Sequence, residues 1–113
     1  MVVSVYPNGR NEGKGSHMSV RMRLQRGEFD NQLQWPFNGQ ITIEMYNCTT
    51  NTWTASTVID LTKDLGDEYV SRPKMFWNRS QGHDKYISQS ELQRHYLIKN
   101  GVSMRVADVK LLA

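Results

Sequence analysis

The chain predicts an all-β fold, an antiparallel sandwich carrying one short helix, on three observations. Apolar residues recur at every second position in several short runs, clusters of Gly, Asn and Pro punctuate those runs, and helical spacing of apolar residues is scarce. Met1 to Tyr6 is a short β-branched run, the composition that fits a pleated, half-buried surface. Val20, Met22 and Leu24 alternate with Arg21, Arg23 and Gln25, so one face of this strand is apolar and the other polar. Ile41, Ile43 and Met45 alternate with Thr42, Glu44 and Tyr46 in the same way. Trp53 to Leu61, rich in Thr and Val, predicts a further strand. Val102, Met104 and Val106, alternating with Ser103, Arg105 and Ala107, predict the last. The turns fall at Pro7-Asn-Gly, Asn38-Gly, Thr49-Thr-Asn51, Leu65-Gly-Asp and Asn100-Gly. Ser88-Gln-Ser-Glu91 has the form in which a serine caps the first helical turn and the glutamate reaches back, so the helix is placed there, leading into Leu92-Gln-Arg-His95. Tyr69 to Tyr86 shows no period and predicts irregular loops, either functional or covering a sheet edge.

A chain of 113 residues makes one domain, able to bury roughly two-thirds of its unfolded surface. The net charge of +3 is far from the dense basic stripe of a nucleic-acid binder, which argues against that partner. Cys48 is the only cysteine, so no intrachain disulfide can form, and a reducing, cytoplasmic compartment is expected. The first residues lack the basic and apolar regions of a signal peptide, and no apolar run approaches the roughly 18 residues of a membrane span, so no membrane insertion is expected. The sequons Asn47-Cys-Thr and Asn78-Arg-Ser carry little weight without a secretion signal.

Little in the chain supports catalysis or a cofactor. Gly9-Arg-Asn-Glu-Gly-Lys-Gly15 has one residue too few for a phosphate-binding loop, Gly15 where Ser or Thr is needed, and a strand where a helix should start. It reads as a loop between strands with glycines at positive φ. His17, His83, His95 and Cys48 show no paired spacing for a metal, and the neighbours His83 and Asp84 should point to opposite strand faces. No nucleophile elbow frames the serines. The expectation is therefore no enzyme, no metal and no cofactor. Arg21, Arg23 and Arg26, extended by Lys14 and Arg10, form the main charged feature. Its bland reading is a solvated sheet face, and its functional reading is the basic floor of a groove for an acidic segment. Trp35, Trp53 and Trp77 read as core or loop anchors rather than as a stacking platform.

Several motifs occur in a fixed order: Tyr6-x-Asn-Gly, Gly13-Lys-Gly-Ser-His-x-Ser19, Arg26-Gly-Glu-Phe-Asp-x-x-Leu-x-Trp-Pro-Phe37, Ile41-Thr-Ile, Ser71-Arg-Pro73 and Tyr96-Leu-Ile-Lys-Asn-Gly101. In this order and spacing the chain resembles the C-terminal (TRAF-C/MATH) domain of the TRAF family, the tumour necrosis factor receptor-associated factors. The resemblance implies an eight-stranded antiparallel sandwich, of which residues 1–113 would be a partial domain lacking the N-terminal strands. It also implies a signalling adaptor that takes short extended peptides from receptor or adaptor tails along a sheet edge, and a homotrimer in the full-length protein. Carried over position by position, Tyr6 matches the ligand-contacting tyrosine, and Gly82, preceded by Ser80 and Gln81, matches the glycine whose backbone pairs with the peptide. Ser4 stands where many members have a charge-reading arginine, and Asp67-Glu-Tyr69 where several have a serine cluster. Arg10 replaces an acidic loop residue and Arg21 a groove aromatic, which points to a more acidic ligand. The expected peptide-binding set is Tyr6, Arg10, Arg21, Ser80, Gln81 and Gly82, and Arg21→Glu is expected to weaken an acidic peptide with little effect on the melting temperature. Two alternatives stand beside this: a nucleic-acid-binding β-domain using Arg21, Arg23 and Arg26, and a MATH-type substrate adaptor of a ubiquitin ligase.

Overall fold

The computed structural model describes residues 1–27, 35–62, 64–74, 76–97 and 101–112. The middle of the Arg26–Phe37 motif, from Glu28 to Gln34, and Ile98 to Asn100 of the last motif lie outside the described residues. Six strands are described: β1 (Val2–Tyr6), β2 (His17–Arg23), β3 (Gly39–Asn47), β4 (Thr52–Leu61), β5 (Gln81–Ser88) and β6 (Met104–Leu111). They pair antiparallel into two three-stranded sheets, ordered β1-β2-β5 and β4-β3-β6.

The two central strands carry the core, as their alternation predicts. Val20, Met22 and Leu24 meet Ile41, Ile43, Ile59, Leu61 and Val70 in one buried cluster. Each such side chain contributes about 1.5–3 kcal/mol by leaving water. Trp35 and Phe37 pack against the same cluster, and the Phe37 N–H donates to the Val70 carbonyl at 2.7 Å, so the Trp-Pro-Phe end of its motif is an anchor. Met18 and Met45 form a second cluster with Leu92 and Tyr96. The serine half of the predicted cap is present: Ser88 Oγ accepts from the Glu91 N–H at 3.2 Å and opens α2 (Gln89–Glu91), which runs on as a π-helical turn over Leu92–Tyr96, while the Glu91 carboxylate lies 3.9 Å from Arg94.

The structure differs from expectation in three respects. A one-turn helix, α1 (Asp67–Val70), and a 3-10 turn (Asn11–Gly13) join the single helix predicted, and α1 places Val70 in the core. The aperiodic stretch ends in a strand, since Gln81 to Ser88 form β5 against β2 with Arg21 opposite Gly82 and Met22 opposite Gln81. Its residues have poor strand propensity, so the pairing edge that β2 offers outweighs local preference. The third difference concerns β6, where Val106 lies opposite Ile43, Val109 opposite Ile41, and a bulge at Ala107 keeps both on the inner face. Yet Val106 and Val109 are 47% and 44% exposed, because β6 is an edge strand, with Val3 and Val5 of β1 lining a shallow pocket beside Val106.

The irregular connection after α1 is pinned by Asn78. Its buried Nδ2 donates to the carbonyls of Tyr69 (3.1 Å) and Ser71 (2.7 Å), and its N–H donates to the Leu24 carbonyl. With the Arg26 N–H donating to the Phe76 carbonyl and Gln25 bridging Trp77, residues 76–80 are held along the end of β2.

Candidate peptide-binding site

An open concavity of about 900 Å³ lies where β1, the loop that follows it, the end of β2 and residues 77–80 meet. The loop owes its path to the first two motifs. Gly9 donates its N–H to the Tyr6 carbonyl at 2.9 Å, turning the chain after β1. Buried Ser19 then accepts from the Arg10 N–H at 2.8 Å and donates to the Asp84 carbonyl at 2.6 Å, tying the loop to both β2 and β5. Gly13 passes so close to β5 that a Cβ there would run into the Asp84 carbonyl. The glycine and serine of the motif are thus packing devices that set the wall of the concavity.

Tyr6, Arg10 and Ser80 of the expected set line this space, together with Ser4, Lys14, Arg23, Trp77 and Arg79. The Arg10 guanidinium lies 5.5 Å from the Tyr6 ring centre, and that of Arg23 lies 4.2 Å above the Trp77 ring. Both distances fall in the range where the ring quadrupole attracts a cation. Arg23 Nε is out of contact with solvent and donates to nothing among the described residues. Among those residues Arg10, Lys14 and Arg23 make no ion pair, while Arg79 has one long, exposed pair with Glu68 at 3.7 Å.

Arg21 sits differently. Its Nε donates to Ser80 Oγ (2.9 Å), one terminal nitrogen to the Ser80 carbonyl (2.9 Å) and the other to Asp84 Oδ1 (3.0 Å), and the side chain is only 14% exposed. Its guanidinium is committed to β5 and to residue 80 and does not line the concavity. Gln81 and Gly82 adjoin it at the start of β5 without lining it. Gly82 has a packing reason to be glycine, since a Cβ would strike the Val20 carbonyl. The arginine stripe therefore separates into a braced Arg21, a stacked Arg23 and an exposed Arg26.

Trp77 is 52% exposed and under Arg23, which corrects its reading as a core residue, while its bridge to Gln25 keeps it a loop anchor. Trp53 packs edge-on to Tyr46 at 5.4 Å. Trp77 and Arg79 escaped the sequence reading because residues 76–80 have no period, and only long-range bonds to β2 bring them to the site. His83 and Asp84 do face opposite ways: His83 Nε2 bonds the Val58 carbonyl, and Asp84 takes Arg21. Away from the concavity, burial pushes the Tyr86 phenol well above the ordinary tyrosine range, helped by Tyr96 and Glu44, while its hydroxyl donates to the Ala55 carbonyl at 2.7 Å.

Comparison with known proteins agrees with this architecture. The family model described as TRAF/meprin, MATH domain matches residues 1–105. TNF receptor-associated factor 5 of Mus musculus is 32% identical over 89 residues, covering 78% of this chain and 15% of that protein. TNF receptor-associated factor 1 of Mus musculus is 28% identical over 103 residues, 88% of this chain and 24% of that protein. This chain therefore spans under a quarter of either relative's length. The solved structure of Notothenia coriiceps TRAF5 superposes with a TM-score of 0.72 at 24% identity, over 96% of this chain and 52% of that one, which shows the shared fold. With the family model spanning all six strands up to the first residues of β6, the chain belongs to the TRAF/meprin MATH domain family of protein-interaction modules.

Proposed function

We propose that this chain is a signalling-adaptor module that binds a short, extended, acidic peptide from a receptor or adaptor tail. The observation that carries this is the cation surplus in one concavity: Arg10, Lys14 and Arg23 surround Tyr6 and Trp77 with no carboxylate paired to them among the described residues. The peptide would cross the concavity with Tyr6 as an apolar wall and pair its backbone with the chain near Gln81 and Gly82, the mode in which main-chain bonds give affinity and pockets give specificity. Arg21 would hold Ser80 and the start of β5 in place rather than touch the ligand. The names of the relatives, TNF receptor-associated factors, favour a receptor tail as the source of the peptide. A cytoplasmic setting and a homotrimeric full-length protein belong to the same proposal.

Titration calorimetry with hits from an acidic-peptide library tests it. Arg10→Glu reverses a charge on the wall while leaving the Arg10 backbone bond to Ser19, so affinity should fall roughly tenfold with an unchanged melting temperature. Equal affinity for the variant, or a library without hits, would sink the proposal. The exposed Trp77 favours a second reading, single-stranded nucleic acid, which requires affinity to fall with salt at a slope of about −0.7 per phosphate contact.

A further inference from the structure

We infer that the Arg10, Lys14 and Arg23 cluster takes a phosphomonoester, the side chain of a phosphoserine or phosphothreonine in the bound peptide. This rests on the peptide-binding reading above and names the group that reading leaves open. The balance of charge comes first. Asp84 answers Arg21 and Glu68 reaches Arg79, whereas the three cations of the cluster face one space unanswered among the described residues. One peptide carboxylate would bring a single charge and two oxygens. A phosphomonoester brings about −1.5 to −2 and three strong acceptor oxygens, enough to engage cations from more than one wall.

The state of Arg23 points the same way. Its guanidinium lies over the Trp77 ring at 4.2 Å, and its Nε is withdrawn from water with no partner among the described residues. A guanidinium held over a ring has less rotational freedom to lose when its planar fork meets a phosphate. Arg10, over the Tyr6 ring, and the exposed Lys14 come from the loop on the other side of the space. A run of unstacked bases fits less well, because Arg23 already occupies one face of Trp77.

The test uses three fluorescein-labelled degenerate decapeptide pools that differ only at the central residue: phosphoserine, serine or glutamate. Fluorescence anisotropy with the intact chain should show the phosphoserine pool binding roughly tenfold or more tighter than either of the others, the gain expected from added charge-assisted hydrogen bonds. Arg23→Lys keeps the charge and loses the stacked fork, so it should remove most of that preference, while Arg105→Lys on β6 should retain it. Equal binding of the glutamate and phosphoserine pools would overturn the phosphate inference and leave peptide binding standing. No binding of any pool would overturn both. The inference also falls if Arg23→Lys retains the full preference. It falls again if free phosphoserine or single-stranded oligothymidine displaces the phosphopeptide pool as effectively as unlabelled pool does.

Discussion

Ser19→Ala isolates the device that builds the wall of the concavity. Ser19 is fully buried, and its hydroxyl both accepts from the Arg10 N–H (2.8 Å) and donates to the Asp84 carbonyl (2.6 Å). Each such bond contributes about 0.5–1.5 kcal/mol net, and a buried group left without its partner costs about 1–3 kcal/mol. Arg10 and Asp84 are half-buried, so water can reach part of what is lost, and the total comes to about 2 kcal/mol. For a chain of this size that corresponds to a fall in melting temperature of roughly 8 °C. Urea denaturation read by fluorescence gives the difference directly, provided the slope with denaturant is unchanged. Peptide affinity should drop as well, because Arg10 and Lys14 ride on the loosened loop. A loss under about 0.5 kcal/mol, the size of an ordinary surface substitution, would refute the claim that Ser19 holds the loop.

Arg21→Gln should destabilise the fold by about 1–2 kcal/mol, since it strips the half-buried Asp84 carboxylate of its cation and frees Ser80, with the 26% exposure of Asp84 moderating the cost. This reverses the expectation that charge reversal at Arg21 would leave the melting temperature alone, and an unchanged urea midpoint would restore it. Tyr86→Phe should lose about 1 kcal/mol at neutral pH with its bond to Ala55. The native phenol holds its proton more tightly than the unfolded one, so wild-type stability is full below the ordinary tyrosine pKa of about 10 and declines as pH rises beyond it. The variant's stability should therefore be flatter above about pH 10, and urea midpoints that fall in parallel for both proteins would contradict this.

Where the chain's own pattern carries the physics, sequence and structure coincide. Ile41, Ile43 and Met45 are buried because a central strand has neighbours on both edges and a sheet on its inner face. Val106 follows the same alternation and stays half in water, since alternation decides only which side a residue points to, and β6 lies at an edge. Ser88 and Glu91 were legible because capping is a bond across three residues. The strand from Gln81 to Ser88 was not, because its reason to exist is the edge of a strand some sixty positions away.

The candidate site divides in the same way. Tyr6, Arg10 and the Gly13–Ser19 motif could be recognised from the chain, because glycine and serine at those points are demanded by a close backbone approach and a buried bond. The family and its β-sandwich were thus determined by the sequence alone. Which arginine is free was not. Arg21 and Arg23 are two residues apart on one strand face with identical side chains, and what separates them is their neighbours: Asp84 and Ser80 of the β5 segment beside one, the Trp77 ring beneath the other. Only the tertiary structure decides this, because ion pairing and stacking depend on distances between side chains that the chain order does not bring together.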